Sequence, residues 1–300
     1  MPARDLAQAP VTDHHHQRFH LPRILCLHGG GTNARIFTAQ CRALRRQLAD
    51  NYRLVFADAP FLTSPGPDVT SVYGEWGPFR SWVPIPAGVD ISTWAAASAS
   101  GRVDAAVEAI DECIAAAMEK DDRAGGTGDW VGLLGFSQGA RVAASLLYRQ
   151  QRQQRMGLAS WGRDRKRGAT VSTGYRFAVL FAGRGPLLDL GFGSGSLSGS
   201  SSTSVSAYAS GSDSAAEEEE EGDDDDGHGL LGIPTIHVHG LRDPGLEMHR
   251  GLVRCCRPSS VRIVEWDGAH RVPITTKDVG AVVAEIRHLA ITQKYESLKC

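Results

Sequence analysis

Gly135-Phe136-Ser137-Gln138-Gly139 sets a serine between two glycines, straight after an apolar run at 131–134 and before a helical pattern of small and apolar residues. Strand, sharp turn carrying serine, then helix is the sequence form of a nucleophile elbow. Such a turn holds its serine at positive φ and brings neighbouring backbone very close, so glycines must flank it. The helix that follows points its free N–H groups and positive dipole end at the serine oxygen. The chemistry implied is attack by a hydroxyl on an acyl carbon.

A serine at its free pKa is a poor nucleophile and needs a base within hydrogen-bond reach. In sheets of this type the chain order Ser, Asp, His is characteristic, with acid and base on loops after later strands. Asp243 and His270 meet that order at the ends of the last two apolar runs. His270 would take the proton of Ser137, and Asp243 would fix the imidazole tautomer and stabilise the imidazolium. Asp189 is a weaker candidate for the acid, and Asp267, three residues before His270, reads as a turn former. His237 and His239 could suggest a metal pair, but no carboxylate or cysteine lies near them at ligand spacing, so no metal is expected. The tetrahedral intermediate needs two donors. One is the backbone N–H of Gln138; the other should come from Gly30 or Gly31 in the glycine triplet after the first strand. That triplet lacks the Lys-Ser/Thr of a P-loop and the spacing of a dinucleotide fingerprint.

The elements that must position these groups alternate between strand and helix. Strands are expected at 23–27, 53–57, 130–134, 175–181, 233–240 and 261–265. Helices are expected at 34–50, 100–119, from the elbow to about 152, in a short stretch containing Cys255, and at 277–293. The alternation implies a mostly parallel, doubly wound sheet with helices on both faces. Residues 61–98 form a loop rich in Pro, Gly and aromatic residues at the carboxyl ends of the strands, where open α/β sheets bind ligands. It reads as a pocket wall or lid, with Phe79, Arg80 and Trp82 as the substrate-binding candidates.

Composition narrows the class further. The 300 residues suffice for one large α/β domain, expected at 21–295, behind a disordered tail at 1–20. Residues 191–229 are Gly/Ser-rich and then acidic, and should be a disordered insert. Glu217 to Glu221 and Asp223 to Asp226 outweigh the formal net charge of −2, so the rest of the chain is net basic. The basic stretch around Arg155, Arg163, Arg165, Lys166 and Arg167 falls on the far side from the serine and reads as a solvated loop. The overall charge implies no nucleic-acid partner, and no apolar run approaches membrane-span length. Six scattered cysteines do not form a disulfide framework, which favours a reducing, cytoplasmic setting.

Five stretches carry a resemblance in combination: residues 28–37 (HGGGTNARIF), 77–82 (GPFRSW), 135–139 (GFSQG), 237–240 with Asp243, and 268–273 (GAHRVP). Together they resemble the fungal family of small serine hydrolases, especially members that accompany polyketide synthases. The likeness covers about residues 21–290, apart from the basic loop and the acidic insert. It implies an α/β-hydrolase fold, no cofactor, and hydrolysis of esters or thioesters. For the polyketide-associated branch it implies release of an acyl chain from a carrier-protein phosphopantetheine thioester, and a basic body would suit an acidic carrier. The competing expectations are a general short-chain carboxylesterase and a non-catalytic binding module on the same fold. A binding module would be expected to lose one of Ser137, Asp243 and His270, and all three are present in order.

Overall fold

Each expected apolar run pairs as a strand in the computed structural model, which describes residues 18–67, 69–85, 104–157, 174–191 and 229–297. The chain runs β1 (Arg23–Leu27), α1 (Ala34–Gln40), α2 (Arg42–Leu48), β2 (Arg53–Ala57), β3 (Phe61–Thr63), α3 (Thr70–Tyr73), β4 (Phe79–Ser81) and α4 (Asp104–Arg123). It continues β5 (Trp130–Phe136), α5 (Gln138–Arg155), β6 (Phe177–Phe181), β7 (Thr235–Gly240), α6 (Leu246–Val253), β8 (Val261–Trp266) and α7 (Thr276–Ser297). Six strands form one sheet in the order β2-β1-β5-β6-β7-β8, every pair parallel.

Period-2 alternation sorts the strand side chains onto two faces. Leu25, Leu27, Leu133, Ala178 and Leu180 face α4 and α5, meeting Ile110, Ile114, Val142 and Leu147. Ile24, Cys26, Phe136, Phe177, Val179 and Phe181 face α1, α2 and α7, meeting Phe37, Leu44, Val282 and Ile286. Both faces are therefore covered, and the layout is the α/β-hydrolase fold. Fully burying each such side chain stabilises by roughly 1.5–3 kcal/mol, which makes the sheet a rigid base for the loops at its carboxyl edge.

Helix starts are fixed by side chains. Asn33 Oδ1 accepts the Ile36 amide (2.9 Å) at the start of α1, while Asn33 Nδ2 donates to the carbonyls of Trp76 (2.7 Å) and Pro78 (3.0 Å). Thr275 Oγ1 accepts the Asp278 amide (3.2 Å) and donates to Asp278 Oδ2 (2.6 Å), a reciprocal cap on α7.

The structure departs from the expectations at several places. The helix expected at 34–50 is two helices, broken at Cys41, whose amide is shared by the Ala39 and Phe37 carbonyls. The 61–98 loop contains an antiparallel β3–β4 hairpin and the single-turn α3. The tail expected at 1–20 is ordered by Arg18–His20, a 3-10 turn in which the Phe19 carbonyl accepts the Thr127 amide (2.8 Å). The closing helix, expected at 277–293, runs from Thr276 to Ser297. Residues 1–17, 68, 86–103, 158–173, 192–228 and 298–300 lie outside the described residues, and with them most of the expected tail, most of the basic stretch, most of the insert expected at 191–229, and Cys300. The other five cysteines are free thiols.

Arg149 on α5 and Asp111 on α4 form a two-pronged, nearly buried pair (2.9 and 2.6 Å) that locks these helices together. Asp111→Ala leaves that guanidinium uncompensated and should cost about 3–5 kcal/mol. Replacing both partners with apolar residues (Asp111→Leu with Arg149→Met) should recover most of the loss. Urea unfolding of the single and double variants checks this.

Candidate active site

Ser137 sits between β5 and α5 with φ 53° and ψ −114°, a backbone conformation that non-glycine residues avoid. Neighbours over-determine it. The Ser137 amide donates to the Phe181 carbonyl (2.8 Å), and the Ser137 carbonyl accepts from Ala140 (3.1 Å) and Arg141 (3.2 Å). A Cβ on Gly135 would fall 2.4 Å from the Gly139 carbonyl oxygen, and one on Gly139 would fall 2.2 Å from that of Leu27. The flanking glycines are thus demanded by contact, and the first turn of α5 rests directly on the end of β1.

The carboxyl ends of β7 and β8 supply the other groups. The loops after these strands are stitched together by Leu241 N donating to Trp266 O (2.9 Å) and Arg242 N to Gly268 O (2.8 Å). Arg242 also holds the exposed Asp267 carboxylate at 2.8 Å, which occupies Asp267 in the turn. The result is a line of three groups: Asp243 Oδ2 is 2.6 Å from His270 Nδ1, and His270 Nε2 is 3.0 Å from Ser137 Oγ. With Nδ1–H donating to the carboxylate, Nε2 is the acceptor that the serine hydroxyl needs. Asp243 Oδ1 accepts the Gly245 amide (2.8 Å). Burial alone would raise the Asp243 pKa, but the hydrogen bond and charge of His270, the Gly245 amide and His249 together hold it below the ordinary carboxylate value. Asp189, the alternative acid, is exposed and accepts the Gly191 amide in its own turn (3.0 Å).

The glycine triplet resolves into two different jobs. Gly31 (φ +71°) donates its amide to the Arg80 carbonyl (2.9 Å), so it is already committed and is not an oxyanion donor. The amides of Gly30 and Gln138 make no hydrogen bond among the described residues. These are the two free donors beside Ser137.

Phe79, Arg80 and Trp82 line no part of the cleft in front of the serine, contrary to the expectation that they touch substrate. They stand behind the glycine loop. Arg80 pairs backbone with Thr32 and donates its guanidinium to the carbonyls of Ala59 (3.1 Å) and Pro60 (3.4 Å). Trp82 is fully buried and donates Nε1–H to the His28 carbonyl (2.8 Å), while its amide donates to Gln138 Oε1 (2.7 Å). Large aromatic rings in a loop signal burial as readily as they signal a binding wall.

The cleft has a volume of about 650 Å³ and is walled by Val69, Val72, Tyr73, Val83, Leu188 and Ile274 around Ser137 and His270. The 61–98 stretch does contribute wall, through its aliphatic residues and Tyr73. Three further residues near the site carried no motif. Arg141 and Arg184 line the cleft. His249, fully buried on α6, places Nε2 3.5 Å from Asp243 Oδ2 and its ring 6.0 Å from that of His270. The signal for Arg184 was its place just beyond β6, at the same carboxyl edge as the acid and base; His249 had no comparable signal.

Asp243, His249 and His270 form the one group of three among the described residues whose ligand-type atoms lie within 4.8 Å of one another. Two of those atoms already share the Asp243–His270 hydrogen bond. His237 and His239 do not belong to it: His237 Nε2 is 3.1 Å from Thr235 Oγ1, and the two rings meet edge to face. No described helix is long and apolar enough to cross a membrane.

Fold and site together define a serine hydrolase of the α/β-hydrolase type. Residues 18–282 match the family model described as Serine hydrolase (FSH1), and the chain belongs to that family. It is 81% identical over 302 residues to "Probable esterase afoC" of Emericella nidulans, covering 100% of both chains. It is 59% identical over 270 residues to a "Probable esterase" of Aspergillus terreus, covering 90% of this chain and 89% of that one. "Esterase pigG" of Monascus ruber is 48% identical over 274 residues, covering 90% and 92%.

The buried histidines set a pH dependence. Burial pushes His28 down to about 4, His249 to about 4 and His237 to about 3. His28 shows why neutrality matters: its Nε2 accepts the Ala59 amide (3.0 Å), leaving the proton on Nδ1 to donate to the Gly29 carbonyl (2.8 Å). Unfolded histidine titrates near pH 6.5. As pH falls from about 6.5 towards 4, the unfolded chain binds protons that the folded chain refuses, so stability drops on acidification and is complete above neutrality. Each of the three should contribute up to about 1.4 kcal/mol per pH unit in that window. Urea midpoints between pH 7.5 and 5 test it, and a flat profile contradicts it.

Proposed function

We propose that the chain hydrolyses an acyl ester or thioester through an acyl-enzyme formed on Ser137, and that its physiological reaction is release of a polyketide-type chain from a carrier-protein phosphopantetheine thioester in the cytoplasm. The observation that carries the reading is the line from Ser137 Oγ to His270 (3.0 Å) to Asp243 (2.6 Å), opening onto a largely apolar cleft. Ser137 attacks the acyl carbon while His270 takes its proton and then returns it to the departing thiol or alcohol. The amides of Gly30 and Gln138 donate to the oxyanion, each contributing about 3–4 kcal/mol of transition-state stabilisation. His270 then draws a proton from water as the water oxygen bonds to the acyl carbon; the bond from that carbon to Ser137 Oγ breaks, His270 returns the proton to Oγ, and the free acid leaves. Nothing in this cycle calls for a cofactor.

Release from a carrier protein rests on the family resemblance and on the basic body of the chain. The second reading is a general short-chain carboxylesterase, favoured by the names of the relatives, which read esterase or probable esterase. The relay serves oxygen and sulfur leaving groups alike, so kinetics must separate them. Acyl-pantetheine thioesters should be hydrolysed with higher kcat/KM than oxygen esters of the same acyl chain, and a strong oxygen-ester preference would leave the carboxylesterase reading.

A fluorophosphonate should label Ser137, as located by peptide mass mapping; an unlabelled Ser137 with a folded protein would favour a non-catalytic binding module. Ser137→Ala should abolish turnover. Asp243→Asn should lower kcat by roughly 10⁴-fold, because the imidazole then adopts the wrong tautomer.

A further inference from the structure

The cleft is lined by four arginines (Arg42, Arg141, Arg184 and Arg271) and, among the described residues, by no carboxylate. Two of the four sit at its edge: Arg42 is exposed and Arg271 rests on the Trp266 ring at 5.7 Å. The other two are different. Arg141 is only 6% exposed, and its one hydrogen bond among the described residues runs from Nε to the Pro186 carbonyl (2.5 Å). Its two terminal nitrogens have neither a hydrogen-bond acceptor nor a salt bridge among the described residues. Burial lowers its pKa to about 10, a measure of how poorly the cation is solvated. Arg184 has a buried Nε without any acceptor among the described residues, and its guanidinium lies against Gly245, beside the Asp243 loop. Leaving the buried Arg184 Nε unpaired is expensive, and a charge-assisted acceptor in the cleft would relieve it while also pairing the Arg141 guanidinium.

We infer that Arg141 and Arg184 form an anion-holding subsite for a carboxylate on the acyl part of the substrate. The inference rests on the hydrolase reading above. Placement argues for the acyl side: Arg141 lies one helical turn beyond Ser137, about 6 Å along α5. A group it holds therefore sits a few bonds from the reacting carbonyl. The phosphate of a phosphopantetheine arm lies at the far end of that arm and is too remote to reach it. The apolar wall of Val69, Val72 and Ile274 would hold the hydrocarbon between the carboxylate and the ester.

The test compares p-nitrophenyl hemiglutarate with p-nitrophenyl pentanoate, which have the same acyl length but differ in one terminal carboxylate. The wild-type chain should favour the anionic ester at least tenfold in kcat/KM. Arg184→Gln and Arg141→Gln should each cut that ratio roughly tenfold or more, mainly through KM, since each removes a charge-assisted donor. Arg184→Lys should keep part of it. A merely structural role would slow both esters alike and leave the ratio fixed. A wild-type ratio near one, or a ratio untouched by both substitutions, overturns the inference. A second arm uses butyryl-phosphopantetheine against butyryl-pantetheine; sensitivity to Arg184→Gln in that pair alone moves the subsite to the leaving-group side and overturns the acyl assignment. Calorimetric binding of glutarate to Ser137→Ala, with and without Arg184→Gln, reads the same subsite without turnover. Weakening of at least tenfold supports it, and equal affinity overturns it. Failure to turn over any ester, with Ser137 unlabelled, would instead sink the hydrolase reading and leave this binding result standing.

Discussion

The site depends on one backbone contact. With no side chain on Gly139, the first turn of α5 settles onto the carbonyls of Leu27 and His28 at the end of β1. That contact holds Ser137 in its positive-φ bend, and the Gln138 amide beside it has no hydrogen-bond acceptor among the described residues. The same strand end leads straight into Gly29, Gly30 and Gly31, so both free amides and the hydroxyl are referred to a single junction. Little adjustment is available there, because carbonyl-to-helix packing at van der Waals distance has no slack. Preorganisation of this kind is what lets dipoles act on a developing charge without reorganising during the reaction.

A glycine loop has no side chains with which to hold itself in place, and its backbone groups need partners. The hairpin of β3 and β4 provides them. Arg80 accepts the Gly31 amide on its carbonyl and spans to Ala59 and Pro60 through its guanidinium. Trp82 clamps the His28 carbonyl from below, and the Gln138 side chain ties that clamp back to the elbow by accepting the Trp82 amide. Gln138 therefore works through both halves: its backbone N–H is a free donor beside Ser137, and its side chain braces the loop carrying the second donor. Neutral His28 completes the brace by bonding Ala59 and Gly29 with one ring.

The sheet, its helices and the serine–histidine–aspartate line were legible from sequence because each rests on local pattern: apolar runs for strands, glycine spacing for the elbow, and chain order at strand ends for the acid and base. Phe79, Arg80 and Trp82 were misread because an aromatic, proline-rich stretch gives no period from which to tell an inward-facing ring from a cleft-facing one. Gly30 and Gly31 could not be separated for a related reason. Which amide stays free depends on where the Arg80 carbonyl lands, and that is decided by a hairpin absent from any periodic signal. The Cys41 break escaped notice since no glycine or proline marks it. Arg141 hid inside an ordinary helical pattern, one turn after the serine, where an arginine normally reads as a solvated residue.

Electrostatics then explains why Asp243 can serve His270 alone. Two imidazoles approach the same carboxylate oxygen, at 2.6 Å for His270 and 3.5 Å for His249. If His249 were charged, it would compete for the carboxylate and weaken the response to imidazolium at His270. Burial keeps it neutral, although Asp243 pulls the other way, and His270, His239 and Arg184 add to the resistance. The row of rings runs from His239 through His249 to His270, with centroids 5.6 and 6.0 Å apart, and ends in the one ring that reaches solvent. Arg184 acts on both sides of that arrangement: it discourages a proton on His249 and presents an unsatisfied guanidinium at the cleft. The charge that helps keep His249 neutral and the charge that would greet an anionic substrate come from the same side chain, so the proposed subsite would be coupled to the surroundings of the relay through His249.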